Sequence, residues 1–265
     1  EVYTSIIDVY LESYSSDPIV GESAFEGLNQ KIEMHFNFQG VVIGNRAFYG
    51  SGVCPSVSNL EFPANSFVGR EAFSHCQNIL SGLTIQGGQF LGEAFAYSQF
   101  NGDFILSGST VKFERTLFKG VQGIKNIQYS TNTIPDYAFA GLGCVTGTLN
   151  LDGITSIGDY AFSGCGYTDI KLTDTLQPQN LGKGVFSDCT QLRAPIVIPS
   201  SINTLNSNLF SGCTNLMSVS FSASTITIGD RAFYKCANLD IPLDQFRKFT
   251  SIGERAFEGC RSLRG

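Results

Sequence analysis

Short triplets of apolar, variable and apolar residues recur along the whole chain. They are Val9-Tyr10-Leu11, Met34-His35-Phe36, Leu60-Glu61-Phe62, Leu83-Thr84-Ile85, Phe104-Ile105-Leu106, Ile127-Gln128-Tyr129, Leu149-Asn150-Leu151, Ile170-Lys171-Leu172, Ile196-Val197-Ile198, Val219-Ser220-Phe221 and Ile241-Pro242-Leu243. This alternation has the period of a half-buried β-strand, with the outer two side chains facing inward and the middle one outward. A second signal follows each triplet by 10 to 14 residues. It is an Ala-Phe pair or a variant of one, anchored by Phe25, Phe48, Phe73, Phe95, Phe118, Phe139, Phe162, Phe186, Phe210, Phe233 and Phe257. Successive anchors lie 21 to 25 residues apart, and three copies of the surrounding phrase, Ile157 to Cys165, Ile228 to Cys236 and Ile252 to Cys260, nearly coincide. Such self-similarity marks a repeat protein.

A unit of about 23 residues with one short strand cannot bury its own apolar face, so it stacks on its neighbours. The predicted fold is a repeat solenoid of about eleven units. One parallel β-sheet lines one face, and short helical turns or loops line the other. Asp159, Asp230 and Glu254, each following an Ile-Gly step, suit the start of a helical turn. The glycine of that step is expected to free the backbone at a corner. Pro242, inside a triplet, should weaken pairing there. The domain reading is one solenoid over 1–265, with a first strand and cap region at 1–24 and repeats over 25–265. The chain starts at Glu1 rather than Met and stops just after a further Cys-x-x-Leu stretch, so a piece of a longer protein is expected.

Composition narrows the function. With 42% hydrophobic and 15% charged residues, disorder is excluded. The net charge is −6 and no basic stripe is present, which argues against nucleic acid as the partner. No apolar run approaches the roughly 20 residues of a spanning helix, so membrane insertion is not expected.

The pattern Cys213-Thr-Asn-Leu216-Met-Ser-Val219-Ser-Phe221, followed by Ile228-Gly-Asp-Arg-Ala-Phe-Tyr-Lys-Cys236, resembles the BspA-type leucine-rich repeat family. The resemblance covers almost the whole chain and is strongest from Gly153 to Leu263. Units around Phe95, Phe118 and Phe210 lack one or more of the Gly, Ala or Cys. The resemblance implies a right-handed solenoid with strands lining one face. It also implies an extracellular or cell-surface protein of bacteria or parasitic protists, often linked to adhesion.

Six of the eight cysteines (Cys76, Cys165, Cys189, Cys213, Cys236 and Cys260) fall three residues after an anchoring phenylalanine, where other units carry Leu28, Val121 and Leu142. That slot reads as apolar core, and the thiols as buried and free. Disulfides are the alternative; zinc fits least, because a ladder supplies ligands along a line rather than around a point. A serine at Cys213 is expected to bury an underpaired hydroxyl. Cys54 and Cys144 lie off the ladder and form the expected exposed or reactive pair.

Catalytic chemistry is thinly supplied. His35 takes an outward strand position and His75 adjoins Cys76 on a bend, where adjacent side chains rarely face each other. No phosphate-loop, zinc-protease or nucleophile-elbow motif occurs. The expectation is no enzyme, no cofactor and no metal, with a carbohydrate-acting enzyme as a remote alternative. The candidate site is the outward strand strip: Tyr10, His35, Glu61, Thr84, Gln128, Asn150, Lys171 and Ser220. Gln86, Ser107, Ser130, Asp152, Thr173 and Ser222 extend it with amides and hydroxyls. Such a strip suits a wet interface with a protein or a glycan. With the resemblance, this reads as an adhesin-like binding module for an extracellular-matrix or host-surface protein. A structural spacer is the alternative, and an uncapped end allows end-to-end self-association.

Overall fold

Eight of the eleven triplets lie wholly on strands in the computed structural model and two more by their first two residues, all of them paired in parallel. The structure describes residues 6–11, 19–28, 31–36, 40–51, 60–77, 79, 82–108 and 110–263, with backbone alone for 6–11 and 31–36. The chain divides into two compact units, 1–131 and 132–265.

In the first unit the chain alternates between two kinds of strand. Triplet strands are β1 (Ile6–Leu11), β3 (Lys31–Phe36), β5 (Leu60–Phe62), β7 (Leu83–Ile85), β9 (Gln99–Leu106) and β11 (Gln122–Tyr129). Between them run β2 (Ile19–Val20), β4 (Val42–Ile43), β6 (Phe67–Val68), β8 (Gly88–Phe90) and β10 (Val111–Phe113). The triplet strands pair as β1-β3 and β5-β7-β9-β11, and the shorter ones form a separate sheet, β2-β4-β6-β8-β10. The second unit repeats the scheme. Its triplet strands are β13 (Thr148–Asn150), β15 (Asp169–Lys171), β16 (Ile196–Ile198) and β18 (Val219–Phe221), paired β13-β15 and β16-β18. Its short strands are β12 (Thr133–Ile134), β14 (Ser156–Ile157), β17 (Thr204–Leu205), β19 (Ile226–Ile228) and β20 (Phe249–Ile252), paired β12-β14 and β17-β19-β20.

The predicted single sheet is thus replaced by two strand faces, each interrupted among the described residues. The second face is too brief to show an alternation in sequence. Nine repeats carry both strands; around Phe186 the short strand is reduced to an Ile157–Leu181 bridge, and around Phe257 the triplet strand is missing. There Pro242 caps the helical turn α1 (Leu243–Phe246), and Leu243, predicted inward, is 67% exposed.

The Ala-Phe segments are not helical. Each is a tight turn in which the residues two before and two after the phenylalanine have positive φ, in all eleven repeats. In eight of these repeats the amides of the two residues and of the phenylalanine donate to backbone carbonyls of the next repeat, and around Phe95 those of the phenylalanine and Tyr97 do. Tyr137, Phe139 and Gly141 bond Asp159, Ala161 and Ser163 at 2.9, 2.8 and 2.7 Å. The left-handed residues turn alternate N–H groups the same way, so a third ladder of backbone bonds joins the repeats. A non-glycine residue there costs about 1 to 2 kcal/mol, which the inter-repeat bonds offset.

Two sequence readings change accordingly. The Asp at this place starts no helix: Asp136 Oδ1, after Ile134-Pro135, accepts the Asp159 amide at 2.7 Å, and after the Ile-Gly step Asp159 Oδ1 accepts that of Lys183 at 2.8 Å and Asp230 Oδ1 that of Glu254 at 2.8 Å. The glycine of the step is needed for close approach. A Cβ on Gly158 would lie 2.4 Å from the Asp136 nitrogen, and one on Gly253 2.5 Å from that of Asp230.

The anchoring phenylalanines form the core. In the first unit the rings of Phe25, Phe48, Phe73, Phe95 and Phe118 stack at 5.2, 4.9, 5.4 and 5.7 Å. In the second, Phe139, Phe162, Phe186, Phe210, Phe233 and Phe257 stack at 5.2, 6.1, 5.5, 5.7 and 5.4 Å. The predicted thiol ladder runs beside them. Cys165, Cys189, Cys213 and Cys236 are free and buried, and Cys260 is free and half-buried. Each thiol donates to the carbonyl of the phenylalanine one repeat back, at 3.0 to 3.2 Å. Ser51 and Ser98 fill the same slot and donate to Phe25 and Phe73. The slot therefore takes a small donor as readily as an apolar group, and a serine there is paired. Cys76 departs from the reading: it is disulfide-bonded. Cys54 lies outside the described residues, and Cys144 is half-buried rather than exposed.

Candidate binding face

The triplet strands present their middle residues together with the residue two positions earlier, since period-2 alternation puts both on one face. In the first unit Glu61 is exposed and accepts a hydrogen bond from Gln86. Gln128 is exposed and its Nε2 donates to Asp103 Oδ2 at 2.8 Å, while Asn126 Nδ2 donates to Asp103 Oδ1 at 2.9 Å. One carboxylate on β9 thus holds two amides on β11. Thr84 does not belong to this surface, being only 8% exposed. Its register partners are Glu61 on β5 and Ile105 on β9, and the longer flanking side chains cover its short one. Tyr10 and His35 pair in register between β1 and β3, but their side chains lie outside the described residues.

In the second unit the exposed Asn150 is tied to Asp152: its Nδ2 donates to Oδ2 at 2.9 Å and its Oδ1 accepts the Asp152 amide at 3.1 Å. Lys171 is exposed and pairs with Asp169 Oδ2 at 2.8 Å, which also accepts from Thr148 at 3.4 Å. Asp169 Oδ1 is buried without a hydrogen-bond partner. Ser220 is half-buried, and Val197 is exposed at 58%. Asp103, Asn126 and Thr148 lie outside the triplet pattern, and Asp169 reads in the sequence only as a solvated carboxylate near a strand. Each precedes a triplet by one residue and shares the face of its middle position.

Among the described side chains, His75 and the cysteines form no pair of nucleophile and base. His75 stacks on Tyr97 at 4.9 Å and meets Tyr49 edge-on at 5.5 Å, while neighbouring Cys76 is in a disulfide. Burial pushes the thiols of Cys165, Cys213 and Cys236 upward and that of Cys189 up to about 12, away from the reactive thiolate. Among the described residues no group of three or more His, Cys, Asp or Glu could hold a metal ion, and no helix is long and apolar enough to cross a membrane.

A model of the BspA type leucine rich repeat region, in six copies, matches residues 6–125 and 132–264. The chain belongs to the BspA-type leucine-rich repeat family. The two matched stretches follow the two compact units. Among solved structures, a leucine-rich repeat protein from Bacteroides ovatus is 22% identical with a TM-score of 0.58, over 99% of this chain and 74% of that one. The likeness is one of fold. A leucine rich cell surface protein from Faecalibacterium prausnitzii is 18% identical with a TM-score of 0.40, over 98% and 86%. No curated protein matches. In BspA-type terms, the Ile-Gly-Asp-x-Ala-Phe-x-x-Cys phrase is a set of inter-repeat fittings. The glycine admits the preceding turn, the Asp takes the next amide, and the Cys meets the previous phenylalanine carbonyl.

Proposed function

We propose that this BspA-type chain is a non-catalytic binding module of a cell-surface or secreted protein, holding a protein partner through the outward residues of its triplet strands. The observation that carries this is the tethering of the exposed polar groups to one another. Gln128 and Asn126 are held by Asp103, Lys171 by Asp169, and Glu61 by Gln86. Side chains fixed before binding lose little rotamer freedom on association, and that loss is a main cost of polar interfaces. The strip is mixed in charge, which suits a wet protein interface better than a lipid surface. An adhesin-like role toward extracellular-matrix or host-surface protein is the reading the family suggests.

The test is direct binding of the purified chain to immobilised extracellular-matrix proteins, with one variant per unit: Glu61→Ala with Gln128→Ala, and Lys171→Ala. Saturable binding weakened by either variant supports the proposal and locates the unit. Absence of binding on a broad matrix panel, or binding that both variants leave unchanged, refutes use of the strand face and favours a spacer role.

A further inference from the structure

The turn face carries cations in both units, but their partners differ. In the first unit they are matched: Arg46 bonds Glu26 and Glu71 at 2.5 and 2.6 Å, Arg70 bonds Glu114 at 2.7 Å, and Lys119 lies 4.0 Å from Glu93. On the last two turns of the second unit Arg255 is held by both carboxylate oxygens of Glu258, whereas among the described residues Arg231, Lys235 and Arg261 make no ion pair. The repeat geometry brings these groups together. The Arg231 amide donates to the Glu254 carbonyl at 2.9 Å and the Lys235 amide to that of Glu258 at 2.7 Å. Lys235 stands where seven other repeats carry glycine, and it keeps the positive φ of that position at 60°. A strained backbone is thus retained under a cationic side chain.

Next to this cluster lies a depression of about 330 Å³ lined by Thr214, Lys235, Ala237, Glu258, Gly259 and Arg261. Its one carboxylate is already engaged by Arg255. The hydrogen bond from Arg255 first, and then the charges of Arg255, Arg231 and Lys235, hold Glu258 below the usual carboxylate range. Three cations therefore act on Glu258, with Glu254 as a second carboxylate beside Arg255, in a chain whose net charge is −6. A local surplus of positive charge on an acidic molecule draws an anionic ligand to that spot and leaves the rest of the surface repelling it.

We propose that this depression binds an anionic sugar unit of an acidic glycan, bearing a sulfate or a carboxylate. The volume lies at the small end of ligand sites and admits one ring-sized unit. Ala237 and Gly259 leave room for that ring, the Thr214 hydroxyl meets a sugar hydroxyl, and Lys235 and Arg261 take the anionic group. An extended acidic peptide would need a longer groove. The site lies on the turn face and does not rest on the strand-face reading.

The experiment is calorimetric titration of the purified chain with four probes: a heparin tetrasaccharide, tetragalacturonate, a poly-glutamate peptide and maltotetraose. Binding of either acidic oligosaccharide, weakening as salt rises and absent for maltotetraose, is expected; which of the two binds distinguishes sulfate from carboxylate. Lys235→Gln combined with Arg261→Gln should lower the affinity by about five- to tenfold, as loss of two exposed charge contacts allows. Glu258→Gln should raise it several-fold by removing the competing carboxylate. All these positions are exposed apart from their backbones, and circular dichroism checks that each variant is folded. The proposal is overturned by no binding of either acidic glycan, by equal binding of poly-glutamate, or by an affinity that the double variant leaves unchanged.

Discussion

The Cys213 thiol donates a 3.0 Å hydrogen bond to the backbone carbonyl of Phe186, one repeat earlier in the chain. Ser51 makes the equivalent bond to Phe25 at 2.8 Å. Cys213→Ser should therefore keep its partner and cost about 1 kcal/mol or less, whereas Cys213→Ala leaves the carbonyl only the Cys189 amide at 3.4 Å, opens a small void and costs about 2 kcal/mol. Urea denaturation in matched buffers measures the difference. Serine no better than alanine would show that the bond contributes nothing.

The buried thiols also set an alkaline limit. Burial raises Cys165, Cys213 and Cys236, Cys189 goes up to about 12 and Cys260 up to about 11. Unfolded thiols titrate near 8.5. A folded value above the unfolded one gives stability that is complete below the unfolded value and lost as pH rises toward the folded one. Stability should fall from about pH 8.5 upward, and Cys165→Ser with Cys189→Ser should flatten that fall relative to the parent. Denaturation midpoints between neutral and strongly alkaline pH, in oxygen-free buffer, decide this; parallel curves would refute it.

Gly158 and Gly21 occupy the same step of their repeats with opposite surroundings. A Cβ on Gly158 meets Asp136 backbone at 2.4 Å, and one on Gly21 meets nothing within 4 Å. Gly158→Ala should destabilise by about 2 kcal/mol or more through forced backbone movement. Gly21→Ala should be neutral or stabilise by about 0.5 kcal/mol, by restricting the unfolded chain. Thermal melts of the two single variants test the contrast directly.

Asp136 acts through an oxygen that asparagine also possesses. Asn45 Oδ1 accepts the Arg70 amide at 2.9 Å, as Asp136 accepts that of Asp159. Asp136→Asn should leave stability nearly unchanged, and Asp136→Ala should lose about 1 kcal/mol. Equal losses in the two variants would point to charge rather than to the hydrogen bond.

Phe162 lies between Phe139 and Phe186 in the ring stack and is fully buried. Phe162→Ala should cost about 3 to 5 kcal/mol by leaving a cavity. A loss below about 1 kcal/mol in chemical denaturation would contradict the packing.

The phenylalanine ladder and the triplet strands were legible because repetition amplifies a weak pattern: Leu60, Phe62, Leu83 and Ile85 each say little alone, yet eleven copies agree. What single-repeat reasoning misses depends on the neighbouring turn. Asp159 looks like a helix start until the Lys183 amide is seen above it. Gly158 looks like a corner until the Asp136 backbone is found against it. Thr84 looks outward by period and is covered by its register partners. Strands of two residues, such as Ser156–Ile157, are too short to carry an alternation at all. On the candidate face the exposed members were readable from position. The tethers Asp103 and Asp169 were not, because they join residues more than twenty positions apart or sit just outside the triplet.

The backbone ladder through the Ala-Phe turns has a mechanical consequence. Within each unit turns are fastened to one another along up to three tracks: the left-handed turns and, where they are continuous, two strand faces. A pull along the stacking direction loads these tracks together and must break many bonds at once. A pull that peels the chain from one end loads only the outermost turn, whose bonds fail in succession. Tethered in a flow, such a molecule holds its length under axial tension and gives way by unspooling one turn at a time.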